Sequence, residues 1–222
     1  MRDIRPIYTR CPLCENVFPH QPPTSYVTVG RDSDLCPRFQ GRPADGSRIL
    51  QREMTMCPAC GFAAVGDFGE VDLSFEQRHD LEDRLAEDGM LRVFKSNPPP
   101  WLPFHAAEVC GRERSFSQFK LGDLCLRASW VCRKEREQPF ESTFQLRSVR
   151  HFMRALNDEP LDHRELPLAT YLIGELNRRL GNHRDALNWY VNAEKLVRED
   201  SGLTWLYRLI TEQRELAENE AA

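Results

Sequence analysis

Four of the eight cysteines in this 222-residue chain stand in two pairs with the spacing of metal ligands. Cys11-Pro12-Leu13-Cys14 comes first, and Cys57-Pro58-Ala59-Cys60-Gly61 answers it. In each pair a proline follows the first cysteine, which suits a tight turn that lets both thiolates converge on one point. Two such knuckles supply four sulfurs, a complete tetrahedral shell for one structural zinc ion per chain. A closed four-thiolate shell leaves no position for substrate or water, so this metal would hold structure and would not catalyse. A lone CxxC also reads as a redox-active dithiol. The duplication favours metal over that alternative. The stretch between the knuckles, Glu15 to Met56, is longer than the common ribbon spacing, so it must have content of its own.

That stretch contains Arg31-Asp32-Ser33-Asp34-Leu35-Cys36-Pro37. Cys36 has three readings: a ligand displacing one knuckle cysteine, a thiol beside the site, or a small buried hydrophobe. Asp32 and Asp34 flank a serine ahead of a proline. They suit a turn held by side-chain-to-backbone hydrogen bonds, with a role beside the metal or toward a partner as the sharper alternative.

The blocks CPLC (11–14), RDSDLC (31–36) and MCPACGFAA (56–64) resemble, in this order, the bacterial family called domain of unknown function 2225. The resemblance is clearest in the first third of the chain. It implies a zinc-ribbon-like N-terminal module followed by helices similar to tetratricopeptide repeats, in a bacterial intracellular protein. It implies no activity. Glu15 departs from the usual knuckle, which often has glycine after its second cysteine.

The formal charge is -4, unevenly spread. Residues 1–66 hold eight basic and six acidic side chains, residues 67–108 hold four and ten, and residues 109–222 hold eighteen of each. Zinc ribbons that bind nucleic acid use a basic surface against phosphate. The ribbon here has little such surplus, so nucleic-acid binding stands as the alternative function. Its candidate patch is Arg31, Arg38, Arg42, Arg48 and Arg52. No run approaches the roughly 18 apolar residues that span a bilayer. The start, Met1-Arg2-Asp3-Ile4-Arg5, shows no secretory signal. Cysteines in knuckle spacing suit a reducing cytoplasm better than a disulfide framework.

The expected fold class is α+β and mostly α, in three stretches: a zinc-ribbon-like module over 1–70, an acidic helix and proline-rich connector over 71–108, and helical hairpins over 109–222. Short strands are expected between the knuckles, one near Tyr26-Val27-Thr28-Val29. Ser74 and Gln77 form a capping box for a helix running to about Asp88. Asn97-Pro98-Pro99-Pro100-Trp101-Leu102-Pro103 reads as a stiff connector, with Trp101 and Phe104 as packing anchors.

Beyond Arg114, apolar residues recur at helical spacing. One stripe holds Leu121, Leu124, Cys125, Ala128, Val131 and Cys132. A second helix, after Gln138-Pro139, is expected to turn Leu146, Val149, Phe152, Met153 and Leu156 inward. Helices near Pro167 and Ala186 resemble one tetratricopeptide repeat through Gly174, Gly181, Ala186, Tyr190 and Ala193. A last helix begins near Ser201 and acts as a cap.

Two classes of function follow. The favoured one is a non-catalytic adaptor whose helical groove binds a protein partner, with Tyr171, Glu175 and Arg178 on the contacting face. An enzyme is disfavoured: His20, His79, His105, His151, His163 and His183 are scattered, and no HExxH, P-loop or GxSxG occurs.

Overall fold

The computed structural model describes residues 7–21, 26–41, 46–69, 71–198 and 201–221. Three two-stranded sheets come first: β1 (Ile7–Arg10) with β2 (Val17–His20), β3 (Thr28–Arg31) with β4 (Pro37–Phe39), and β5 (Met54–Met56) with β6 (Ala63–Val65). A short helix, α1 (Gly46–Gln51), lies between β4 and β5. Eight further helices follow: α2 (Phe75–Glu87), α3 (Gly89–Phe94), α4 (Leu102–Glu113), α5 (Gln118–Glu135), α6 (Gln138–Asp158), α7 (Glu165–Arg179), α8 (His183–Val197) and α9 (Thr204–Ala221). The class is α+β, mostly α, as the sequence implies.

The compact units do not follow the linear boundaries at 70 and 108. The first gathers the described residues of Met1–Val29, Phe39–Phe116 and Arg127–Glu141, and the second those of Gly30–Arg38, Ser117–Leu126 and Ser142–Ala222. The physical reason is that α5 and α6 each contribute residues to both, and the tip of the β3–β4 hairpin counts with the later helices.

In the first unit α4 is the core helix. Ten of its residues, Leu102 to Gly111, are buried, and it packs on β5, β6 and α2. The sequence reading places no helix here, because the proline run masks its start. Pro103 sits in the first turn, where a missing N–H costs nothing. Trp101 is an anchor as expected: it is fully buried, 5.2 Å from the Phe94 ring and 4.6 Å from the Phe140 ring. A second aromatic cluster, Phe18, Phe62 and Phe68, lies under the small hairpins. The capping box forms, with Gln77 N–H to Ser74 Oγ at 3.1 Å and Ser74 N–H to Gln77 Oε1 at 3.1 Å. Asp88 does not simply end α2. It opens α3, accepting Leu91 N–H at 2.9 Å and facing His105 Nε2 at 3.0 Å. Burial opposes its ionisation, but the hydrogen bonds from His105 and Leu91 N–H prevail and hold its carboxyl at about 2.

The second unit is a stack of helices. A β-carbon on Gly174 of α7 would lie 3.0 Å from the Tyr190 ring of α8, so only glycine permits this approach. That is the small-against-aromatic packing expected of the hairpin. Gly122 meets Phe152 in the same way, at 2.8 Å. On α6 the inward set differs from the expectation. Leu146 and Met153 are 44% and 42% exposed, while Phe144, Ser148, Phe152 and Ala155 are buried. The polar member explains the miss: Ser148 Oγ donates to the Gly122 carbonyl at 2.9 Å, so the true face includes a residue that a hydrophobic stripe omits.

Candidate metal centre

Both cysteine pairs sit in hairpin loops of identical construction. Arg10 pairs with Val17 and Met56 with Ala63, so six residues close each loop. In the first, Cys11 N–H donates to Asn16 O at 2.9 Å and Glu15 N–H to Cys11 O at 3.0 Å. In the second, Cys57 N–H donates to Phe62 O at 2.8 Å and Gly61 N–H to Cys57 O at 2.9 Å. The residue after the second cysteine takes a positive φ in both, 59° at Glu15 and 82° at Gly61. The backbone amides of Cys14 and Leu13 act to lower the Cys11 thiol, and those of Cys60 and Ala59 the Cys57 thiol. These amide dipoles favour thiolate before any ion arrives.

The loops bring the four sulfurs together. Cys11 Sγ lies 3.6 Å from Cys60 Sγ, and Cys14 Sγ lies 3.5 Å from Cys57 Sγ. All four ligand atoms fall within 4.8 Å of one another. A tetrahedral ion bound at about 2.3 Å from each sulfur would set the sulfurs roughly 3.8 Å apart, so the residues fit a metal ion. Cys11 and Cys57 are fully buried, and Cys14 is exposed. Asn16 Nδ2 donates to Cys57 Sγ at 3.9 Å.

The thiols of the cluster hold their protons unequally. Hydrogen bonds from Cys11 and then Cys60 hold the Cys57 thiol far below its ordinary value. The bond to Cys57 pushes Cys11 up to about 12, and those to Cys11 and Cys57 raise Cys60 further. One negative charge is accommodated and the next is resisted. A bound cation removes that resistance by releasing the protons. Cys36 belongs to the second unit. It is fully buried and its thiol donates to the Pro37 carbonyl at 3.8 Å, which fits the buried-thiol reading.

The residues expected on an open helical face are elsewhere, and this is a correction. Tyr171 and Glu175 are fully buried, and the Arg178 side chain is 14% exposed. They belong to an internal network of the second unit whose hub is Glu175. Ser33 Oγ donates to Glu175 Oε1 at 2.6 Å and Tyr190 OH to Oε2 at 2.8 Å. Arg178 bonds both oxygens at 3.0 Å, and Arg179 Nε reaches Oε1 at 2.7 Å. Burial alone would raise the Glu175 carboxyl, but the bonds from Arg178 and the charge of Arg179 hold it below the usual range. Tyr171 OH donates to the Ser33 carbonyl at 2.6 Å, and Arg179 lies 3.7 Å from the buried Asp34. The groove side of α7 is thus occupied by the chain's own Ser33 and Asp34. Asp34 also accepts Cys36 N–H at 3.3 Å, the turn-forming bond expected of it. Sequence spacing gives one face of α7 but no sign that residues over a hundred positions earlier cover it.

The arginines of the expected basic patch are divided between the units, Arg31 and Arg38 in the second and Arg48 and Arg52 in the first. Arg38 bonds Asp32 and the Arg31 carbonyl, Arg52 bonds Gln21, Arg48 lies on α1, and Arg42 falls outside the described residues, as does the segment Met1–Arg5. No helix among the described residues is long and apolar enough to cross a membrane.

No curated protein and no solved structure matches the chain. A family model does, over residues 8–217, nearly the whole sequence and both units. With the paired knuckles, the Arg31–Cys36 block and the helices all inside that span, the chain belongs to the family described as uncharacterized protein conserved in bacteria (DUF2225).

Proposed function

We propose that the four thiolates hold one structural zinc ion and that the protein is a non-catalytic adaptor acting by contact with another protein. The observation that carries the metal reading is the duplicated loop, which delivers four sulfurs to one point. Soft thiolates in a tetrahedral set suit zinc, and four of them leave no position for a reacting water. Cysteines in knuckle spacing suit a reducing compartment such as the bacterial cytoplasm better than a disulfide framework. For the contact surface, the burial of Tyr171 and Glu175 moves the reading to the start of α9. There Trp205 is 49% exposed in a shallow site of about 200 Å³, with Leu35, Leu209, Arg31 and Arg208 around it. Tryptophan and arginine are frequent interface anchors, and because Asp32 and Glu212 line the site beside Arg31 and Arg208, it suits a partner segment of mixed charge carrying an apolar side chain.

Elemental analysis of protein purified without added metal tests the first part. Near one zinc per chain is expected, falling to none with Cys57→Ser. Full retention in that variant overturns the ligand set, and a metal-free protein whose cysteine pairs oxidise reversibly overturns the structural reading. For the contact surface, Trp205→Ala with Arg208→Ala should lower partner recovery from the host extract while leaving thermal melting unchanged. Unchanged recovery rejects this surface.

A further inference from the structure

Between Thr143 and Asn157 helix α6 runs for about four turns without a carboxylate, and it carries three arginines there. At about 100° per residue, Arg147, Arg150 and Arg154 fall within an arc of about 60°, and Leu146 and Met153 form a row along one flank of it. The opposite side of the helix is the buried one, with Phe144, Ser148, Phe152 and Ala155. Arg150 and Arg154 are exposed, and neither makes an ion pair among the described residues. Arg198 and Arg214 of the same unit, by contrast, each reach the Glu194 carboxylate. The Arg147 guanidinium lies 5.2 Å from the centre of the Phe144 ring. Leu146 and Met153, about 10 Å apart along the axis, are 44% and 42% exposed.

We propose that this face of α6 is a docking surface for an acidic amphipathic helix of a partner protein. Charge selects the occupant. Guanidinium groups about 4.5 and 6 Å apart along the axis match carboxylates repeating at three and four residues on a facing helix. The leucine–methionine row beside them takes apolar side chains of that helix spaced by seven. Two half-exposed side chains are too few to enter a bilayer, where an interfacial helix buries a whole apolar face. A strand of phosphates would use the arginines and leave the apolar row in water. A segment carrying both characters side by side satisfies both rows. Asp158, exposed at the end of the helix, bounds the surface, so carboxylates are favoured opposite residues 147–154 and not beyond. The surface lies on a different helix from Trp205 and does not depend on the reading of that site.

Fluorescence anisotropy tests this, with the full chain and its metal titrated into a labelled synthetic helix of about three heptads. The probe carries glutamate and leucine side by side at the matching spacings. It should bind in the micromolar range, and more weakly as salt rises. Arg150→Glu with Arg154→Glu should weaken binding about thirty-fold or more, with helix content and metal content unchanged. A probe with lysine in place of those glutamates should regain binding to this double variant. Leu146→Ser with Met153→Ser should cost about ten-fold, which a purely ionic contact would not show. Absence of binding overturns the proposal. So does binding indifferent to either pair of substitutions, or a lysine probe that fails to rescue. A single-stranded oligonucleotide or a phosphatidylglycerol vesicle that binds more tightly than the glutamate helix, and is lost with the same arginine substitutions, also overturns it, because the occupant is then a phosphate surface.

Discussion

The two units solve the same problem in opposite ways: each must gather like or buried charge without losing the fold. The first brings four thiols to one point, where a second negative charge is resisted until a cation enters. The second buries the Glu175 carboxylate and surrounds it with two guanidinium groups and two hydroxyls of its own. One cluster fits an ion from outside, and the other is satisfied by side chains of its own unit. Metal removal should therefore separate the units. Cys57→Ser or chelation removes the term that joins the two knuckle hairpins, and apparent binding energies of structural zinc run to about 10 kcal/mol or more. Hydrogen exchange should show the amides of β1, β2, β5 and β6 losing protection first, while α7 to α9 keep theirs. Equal loss in α7 to α9 would break the comparison.

Breaking the second centre should do the reverse. Glu175→Ala leaves Arg178 and Arg179 without their common partner in a dry site, a change that costs about 3–5 kcal/mol in comparable networks. Arg178 retains Glu220 at 3.1 Å and Arg179 retains Asp34 at 3.7 Å, which places the expectation toward the lower end. Thermal melting should fall while metal content stays at its wild-type level. The amides of residues 32–36 should lose part of their protection, because Ser33 loses its bond to Glu175 while Tyr171 and Arg179 still hold it. A melt unchanged by this substitution would mean that the network is only incidental to the second unit.

A smaller effect lies at Asp88 in the first unit. Its carboxyl sits at about 2 against 3.8 for the ordinary group, so ionisation is coupled to folding. The folded value is depressed, so the stabilisation is complete above the unfolded value and fades as pH falls from about 4 to about 2. Its size is about 2 kcal/mol, one pKa unit being worth about 1.4. Asp88→Asn should flatten that part of the acid unfolding curve, read by the helical signal. A curve with the same slope would show that His105 and the α3 amides stabilise the neutral group as well.

What the sequence made legible follows this division. The metal centre could be found because its geometry is local: each knuckle is six residues, and spacing alone encodes the convergence of its two sulfurs. The Ser74 box and the Gly174–Tyr190 packing were legible for the same reason. The Glu175 hub was not, since Ser33 and Asp34 reach it from far along the chain, and a charged residue on an otherwise apolar helix reads as a solvent face. Helix α4 was hidden by its proline-rich entry, although Pro103 at a first-turn position was the available signal. The outward turn of Leu146 and Met153 was missed because a buried serine replaced leucine in the inward stripe.

The finest comparison is between the two knuckles themselves, which differ at one strained position. Gly61 adopts φ 82° freely, whereas Glu15 holds φ 59°, a region that costs an L-residue with a β-carbon about 1–2 kcal/mol. The side chain recovers little of this. Its one ion pair, to Arg10 at 3.9 Å, joins groups 69% and 73% exposed, where such pairs contribute next to nothing. Glu15→Gly should therefore relieve the strain, offset in part by the larger freedom of glycine in the unfolded chain, about 0.4–1 kcal/mol. The net expectation is a stabilisation of about 0.5 kcal/mol and slower loss of metal to a chelator. The reciprocal Gly61→Glu should destabilise by about 1 kcal/mol and speed metal loss. If both changes speed metal loss, Glu15 has a role in the first knuckle that its backbone does not explain, and the two loops are not equivalent halves of one site.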